Sequence, residues 1–355
     1  MNTLTPEAQF RQLYRQKLSE LLFQGERTPD FGLASFILAC ANAYFDHEVL
    51  FDLKGDLNAA FARLHQCYAG LLANGRLIDE SHAEDLLVFL KIGLVGMENI
   101  RVAEHRQVAG QSPIVEWRLQ FNHIRSFRPQ RTAARKVNSI CEPFNENGFF
   151  YTPELCQREC FWSGELAGKP AYLLYNKYPF ARMHTLLIPE PQMHHPQMLT
   201  AELHAWAWQA TQWLAEDLPG FGLGYNAIGT FASVNHLHFQ SFIEPSGMPV
   251  TWGIWQHNGG SEAYPTACVV FDNWEESWRW IASIHERDVT SYNVLYTLGR
   301  IYCFERKRQG SYKHASWTSG FAWFEVCGNL ITFNHEDFST ISFEKVELEF
   351  KKLHI

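Results

Sequence analysis

Apolar positions in the first hundred residues recur at helical spacing. Phe10, Leu13, Leu18 and Leu22 form one such series; Gly25 follows as a stop and Pro29 makes the break firmer. From Phe31 to Leu72 runs a second stretch rich in Ala, Leu and Phe. A third helix is predicted from a cap at Ser81, with Leu86, Leu87, Leu90 and Leu94 as its apolar stripe. Residues 1 to about 105 are therefore expected to be helical. The texture changes after Gln107. Ile114–Phe121, Ala171–Tyr175, Thr185–Ile188 and Val269–Phe271 are short and apolar, bounded by Pro, Gly or Asn, as strands are. Further strands are predicted at Ser233–Ile243, Asn293–Tyr296, Ile301–Phe304 and Phe324–Phe333. One helix stands among them at Leu199–Leu214, with Leu203, Trp206, Ala210 and Trp213 as its buried stripe. Strands with few helices between them predict an α+β fold on an antiparallel sheet, not a doubly wound parallel one. No low-complexity linker and no exact repeat divides the chain.

Composition narrows the function classes. The chain has 355 residues, 46% hydrophobic and 19% charged, which is globular material and not a disordered composition. Its 38 acidic and 30 basic residues leave a formal charge of −8, against a broad surface for nucleic acid but compatible with one small phosphate site. No stretch reaches the roughly 18–20 apolar residues of a membrane span. The opening MNTLTPEAQFRQLYRQKL lacks the apolar core of a signal peptide, so a cytoplasmic location is expected. The eight cysteines are scattered without a Cys-x-x-Cys pair, as reduced core thiols would be; Cys156 and Cys160 are half of a metal site with no other half. Asp46, His47, Glu48 and Asp52 have the chemistry of a carboxylate–histidine site, but as a group they are expected to be a solvated helix face.

The common nucleotide motifs are absent: there is no Gly-x-Gly-x-x-Gly opening a βαβ unit and no Walker A loop. Gly-x-Ser-x-Gly is missing as well. The informative stretch is GLGYNAIGTFASVNHLHFQSFIEP at 222–245, where His236, His238 and Gln240 alternate with Leu237 and Phe239. With sixteen histidines, a His-x-His pair is expected about 0.7 times by chance, so the pair alone carries little. The added Gln and the alternation carry more, because on a strand the three polar side chains share one face. Three chemistries suit such a row. Two strand histidines can ligate a metal, although no partner ligands are evident. An imidazole oriented by its neighbour can attack phosphorus, with the amide donating to the phosphoryl oxygens. Or the pair can be structural.

His-x-His-x-Gln after a loop containing Gly and Ser resembles the active-site strand of the histidine-triad superfamily, in the Gln form of its nucleotidyltransferase and phosphorylase branches. LGYNAIGTFASVNHLHFQ at 223–240 resembles the signature of the GDP-hexose phosphorylases almost position for position. EPFNENGFFYT (142–152), NKYPFARMHTLLIPEP (176–191), AYPTACVVFD (263–272), SYNVLYTLGRIYCFER (291–306) and FAWFEVCGNLI (321–331) resemble further blocks of that family, so the likeness covers roughly 115–335. Residues 1–110 match none of its blocks. Glu190 stands where the plant and animal enzymes tend to carry a basic residue. The segment Arg125, Arg128, Arg131, Arg135 and Lys136 offers other cations, which as a group are expected to be a solvated patch.

The resemblance implies that His238 is the nucleophile, that His236 supports its orientation and that Gln240 contacts the α-phosphate. It places Asn226 and Ser233 on a loop near the phosphates or nucleoside, and Lys177 and His184 on flanking strands. The implied reaction is a two-step displacement: GDP-hexose and inorganic phosphate give GDP and hexose 1-phosphate through a guanylyl-histidine. A dinucleoside polyphosphate phosphorylase, another nucleotidyltransferase, a nucleotide hydrolase and a non-catalytic nucleotide-binding scaffold are the rival readings. No organic cofactor and no metal are expected, nor any nucleic-acid or membrane partner. The implied architecture is an N-terminal helical region at 1–110, a histidine-triad-like catalytic half at 111–250 and a second such half at 251–355. The second half carries Asn293 and Arg300 but no catalytic row. Either a monomer or a homodimer fits.

Overall fold

The structure, a computed structural model, describes residues 7–24, 29–73, 83–110, 115–128 and 137–355. Helices α1 (Glu7–Gln24), α2 (Pro29–Ala43), α3 (His47–Ala73) and α4 (Ala83–Val95) open the chain. Strands β1 (Glu104–Ala109) and β2 (Glu116–Phe121) and short helices α5 (His123–Ser126) and α6 (Pro153–Glu159) follow. Then come β3 (Cys160–Leu166), β4 (Lys169–Tyr175), β5 (Thr185–Pro189), α7 (Ala201–Asp217), β6 (Phe221–Asn226) and β7 (Phe239–Ile243). The remainder is β8 (Val269–Phe271), α8 (Trp274–Arg287), β9 (Ser291–Thr297), β10 (Arg300–Arg306), α9 (Trp323–Val326), β11 (Asn329–Thr332), α10 (His335–Thr340) and α11 (Phe343–Lys351).

The fold is α+β, as expected. Eight strands form one antiparallel sheet in the order β3-β4-β5-β7-β6-β9-β10-β8, and a three-stranded sheet β1-β2-β11 lies apart from it. The one exception to antiparallel pairing among the named strands is β11 on β2. The large sheet is continuous from residue 160 to residue 306. The β6–β9 pair, with Leu223 opposite Tyr296 and Asn226 opposite Asn293, joins the strands before residue 250 to those after it.

Each face of this sheet meets a separate core. One face packs with α1–α4, α7 and α8; Phe239, Tyr225 and Tyr296 share a cluster with Leu18, Ile37, Leu57 and Trp206. On the other face Phe242, Leu295 and Phe304 pack with Trp117, Trp255, Trp323 and Phe350. The helical region is bound to the sheet by aromatic contacts, Phe10 and Tyr14 meeting Phe161 edge-on at 5.7 and 5.5 Å. Arg15 pairs with both Glu48 and Asp52, and Asp46 Oδ1 accepts from Glu48 N, so that acidic cluster is a helix face and its cap. No described helix is long and apolar enough to cross a membrane.

Several elements differ from expectation. In α4 the buried face is Asp85, Val88, Phe89 and Ile92, while Leu87, Leu90 and Leu94 are exposed. Both sets are spaced at helical period on opposite faces, so periodicity could not choose between them. The Ser81 cap and the Gly25 stop lie outside the described residues. In α7 the buried arc runs through Leu203, Ala207, Ala210 and Leu214, and Trp213 lies roughly 100° off it at 61% exposure. The second apolar run is two helices, broken at residues 44–46, and the first strand already occupies Glu104–Ala109. Phe324–Phe333 splits into α9 and the shorter β11, turning at Gly328 with φ 93°. The strand predicted over Ser233–Ile243 shrinks to Phe239–Ile243; residues 227–238 leave the ladder as a loop.

A close approach across β6 fixes one glycine. A Cβ at Gly224 would lie 2.1–2.4 Å from the Trp323 ring, which stacks on Phe242 at 5.2 Å. Gly224→Ala is expected to displace that ring and cost about 1–3 kcal/mol, read as a lowered urea midpoint.

Candidate functional site

Where the ladder ends before β7, residues 235–238 run beside residues 195–197 and exchange hydrogen bonds with them outside any regular strand. Leu237 N donates to His195 O at 2.8 Å, Gln197 N to Asn235 Oδ1 at 2.8 Å, and His238 N to Gln197 Oε1 at 2.9 Å. The Gln197 amide also donates to Asn226 O (2.9 Å) and His238 O (3.2 Å). One buried side chain thus satisfies three backbone groups that no strand partner serves. Glu190, at the expected basic position, bonds His195 at 3.1 Å and Lys169 at 3.1 Å, bracing the same turn.

His238 is buried at 5% exposure, and its Nδ1 lies 2.8 Å from the His236 carbonyl oxygen. A carbonyl only accepts, so Nδ1 carries the proton and Nε2 keeps its lone pair. Burial holds the imidazole's pKa down at about 4, so the ring is neutral at neutral pH. The support His236 gives comes from its backbone. Its own ring faces Phe144, Phe150, Tyr151 and His194, with ring centroids 5.5–6.3 Å away. The His236 Nδ1 accepts from Tyr151 N at 3.2 Å, which leaves Nε2–H as a buried donor without a partner. Burial, then the neighbouring histidines, lower its pKa to about 4 as well.

Gln240 lies on β7 with its carbonyl pinned by two donors. Trp323 Nε1 donates to Oε1 at 2.8 Å, and His184 Nε2 lies 3.1 Å from the same oxygen. His184 Nδ1 accepts from Phe180 N at 3.2 Å, so its proton is on Nε2 and that atom donates. Burial drops the His184 pKa to about 3 and keeps the ring neutral. With Oε1 held from two sides, the orientation of the Gln240 amide is set and its NH2 remains a donor.

The other expected residues divide. Asn226 is buried, its Oδ1 accepting from Asn293 Nδ2 (2.7 Å) and Trp323 N (2.8 Å), which ties β6, β9 and α9 together. Ser233 sits exposed on the loop before His236. Lys177 lies outside the cluster, its ammonium 2.5 Å from Asp85 of α4. Arg300 bonds Asn258 at 2.9 Å, away from the row. Arg125 bonds Tyr178 O and Arg128 bonds Glu84, so these two brace the neighbouring loop instead of forming a solvated patch; Arg131, Arg135 and Lys136 lie outside the described residues. Sequence reasoning missed Gln197 and Trp323. Gln197 carries no pattern at all, while Trp323 sits in a block whose likeness was visible.

The polar row is not an exposed face: Leu237 and Phe239 are fully buried, His236 is 1% exposed, and of the three row residues only Gln240 retains partial exposure. Among the described residues no group of three or more His, Cys, Asp or Glu side chains is placed to hold a metal ion. The arrangement offers a neutral imidazole lone pair on His238 and, two residues on, an amide donor of fixed orientation on Gln240.

Comparison with known proteins gives three findings. Residues 102–242 match the family described as GDPGP1-like, N-terminal domain. GDP-L-galactose phosphorylase 2 of Arabidopsis thaliana is 30% identical over 151 residues, 37% of this chain and 34% of that protein. GDP-D-glucose phosphorylase 1 of Danio rerio is 31% identical over 123 residues, 35% of this chain and 35% of that protein. The matched stretches thus span about a third of the length of these curated relatives. Among solved structures, yeast Ap4A phosphorylase Apa2 in complex with AMP aligns over 79% of this chain and 98% of its own, with 15% identity and a TM-score of 0.48.

Two outcomes follow from the geometry. Gln197→Leu removes an amide that serves three buried backbone groups, and is expected to cost about 2–4 kcal/mol by urea denaturation. The buried His184, His204, His236 and His238 all have depressed pKa values, so the unfolded chain binds protons that the folded chain refuses. Their contribution to stability is complete above about pH 6.5 and declines as pH falls through about 4 for His204, His236 and His238 and toward about 3 for His184, which urea midpoints at stepped pH will read.

Proposed function

We propose, on the premise that residues 102–242 are a GDPGP1-like N-terminal domain, that this protein is a nucleotidyl-transferring phosphorylase acting on a GDP-hexose. The observation that carries the reading is His238. Its Nδ1–H is committed to the His236 carbonyl and its Nε2 is left as a free base, the protonation state a nitrogen nucleophile needs.

In the first step Nε2 attacks the α-phosphorus and the bridging P–O bond toward the β-phosphate breaks. Hexose 1-phosphate departs with that oxygen and its electron pair, and guanylyl-histidine remains. In the second step an oxygen of inorganic phosphate attacks the same phosphorus, the P–N bond breaks, and GDP is released with His238 restored. The Gln240 NH2 donates to the α-phosphoryl oxygens as their charge grows, and it acts without reorganising because Trp323 and His184 already hold the carbonyl end. His184 is in this reading a positioning residue. The leaving group is a stable sugar-phosphate anion, so a neutral amide suffices at the third position of the row.

Asn226 serves by fixing Trp323 and the end of β6, and exposed Ser233 is free to meet a phosphate from the loop. Lys177 is neutralised by Asp85 and is not assigned a phosphate. The rivals differ in which acceptor reaches the intermediate, so product analysis separates them.

His238→Ala is expected to lower phosphate-dependent turnover of a GDP-hexose by about four orders of magnitude or more, and Gln240→Leu by about 10²–10³ in kcat. Wild-type protein given labelled GDP-hexose without phosphate should retain label on His238 and then release GDP on adding phosphate. Release of GMP instead, or no adduct after rapid acid-free denaturation, would reject this mechanism.

A further inference from the structure

A cavity of about 740 Å³ lies at the other end of β7 from His238. It is bounded by the loop before α3 (Phe45, Asp46), by β1 and β2, by Phe180–Arg182 and by Glu244 just after β7. Glu244 is five residues beyond Phe239, ~16 Å of extended chain. Phe180, which lines this space, connects it to the His184–Gln240 pair: its ring lies 4.1 Å from that of His184 and 4.9 Å from that of Phe324.

Most charges lining the cavity are already committed. Arg106 donates to Phe338 O and Ile341 O. Arg118 donates to Gly247 O and Ser246 Oγ, lies 3.6 Å from Glu244 and sits over Trp252. Glu48 is paired with Arg15. Two donors are left over. Arg182 enters no ion pair among the described residues. Gln120, on the central strand of the small sheet and only 3% exposed, has a side-chain nitrogen without any hydrogen-bond partner. A buried amide nitrogen left unmade costs about 1–3 kcal/mol, a cost that a bound acceptor relieves. The two donors belong to adjoining segments, since Asn122 Nδ2 donates to Pro179 O at 3.2 Å. Asp46, which uses Oδ1 to cap α3, lines the same cavity, and so does Phe45 beside it.

We propose that this cavity is a second ligand site, distinct from His238, for a phosphorylated sugar. The phosphate meets the Arg182 guanidinium and the Gln120 amide, the ring lies against Phe45, and the hydroxyls donate to Asp46. A single guanidinium with a neutral amide suits a monoanionic or dianionic phosphate monoester, and the Asp46 carboxylate disfavours a longer polyphosphate. The site does not rest on the proposed catalytic activity, because its occupancy is measured without turnover.

The test is calorimetric titration of α-D-glucose 1-phosphate into His238→Ala protein, with Arg182→Gln and Gln120→Leu each added to that background. The expected result is saturable binding whose Kd rises at least about tenfold with either addition, a loss of one good polar contact. Hydrogen exchange should then be slowed in β1 and β2 and unchanged at residues 236–243. Arg182→Gln, a half-buried side chain at the cavity wall, covers the case in which Gln120→Leu lowers the melting temperature. Absence of binding up to about 10 mM, binding indifferent to both substitutions, or protection confined to residues 236–243 would overturn the proposal. Inorganic phosphate binding as tightly as the sugar phosphate would overturn the assignment to a sugar.

Discussion

The site depends on the buried amide of Gln197. Residues 227–238 depart from the sheet, and at the two ends of that excursion Asn226 O, His238 N and His238 O are buried where no strand serves them. A chain in that position must find side-chain partners or remain in water. Gln197 supplies them to His238 N, His238 O and Asn226 O together, and so sets both ends of the excursion against one turn. The geometry at His238 is a consequence. Its Nδ1 reaches the His236 carbonyl because residues 236–238 are held in this irregular path; in a regular strand successive carbonyls point alternately to the two neighbours and not back to a side chain.

A second constraint is electrostatic. The row His236, His238 and Gln240, with His184 behind it, is buried among aromatics and carries no formal charge at neutral pH. Burial is the main cause in all three histidines, since it penalises the imidazolium and leaves the base; neighbouring histidines add to it at His236 and Arg125 adds to it at His184. A neutral, pre-shaped site places its donors without introducing a competing carboxylate, so an incoming anion encounters dipoles and not like charge. The acidic balance of the whole chain, −8, does not extend into this row. Glu190 illustrates the point: its carboxylate is absorbed by Lys169 and His195 in the turn behind the site.

How much of this was legible in the sequence follows from the range of each signal. The α+β class and most strands were visible because period-two runs bounded by Gly, Pro or Asn are local. The site row was visible because its text is contiguous. What failed was anything decided by a surface not yet known. The leucines of α4 and Trp213 of α7 lie on faces that only the neighbouring elements reject. The extension of β7 back to Ser233 failed because alternation describes side chains, while the ladder requires a partner backbone, and beyond Phe239 that partner is a turn. Gln197 was illegible for the same reason: its role rests on contacts 29 and 41 residues away, and no local pattern marks it. Lys177 was expected beside the site by its block, and Asp85, 92 residues earlier, claims it.

That last pairing shows why the helical region, which resembles nothing in the family's blocks, is nonetheless part of the site's construction. The loop 176–184 reaches from β4 to His184 and carries Phe180, whose backbone N–H fixes the His184 tautomer. The helices and the segment after β2 hold this loop at almost every step. Asn42 of α2 donates to Asn176 O at 3.0 Å, and Asp85 of α4 takes Lys177. Arg125 donates to Tyr178 O at 2.6 Å and Asn122 to Pro179 O at 3.2 Å. Without these contacts the loop's backbone carbonyls would turn to water, the ring of His184 would lose its imposed tautomer, and Gln240 would keep only the indole of Trp323. An amide with one carbonyl donor can flip, presenting its oxygen where its NH2 should be, whereas one pinned by two donors cannot do so without breaking both. The helices therefore act on the site indirectly, by holding a loop that lies two hydrogen bonds from Gln240, through the orientation of a single amide.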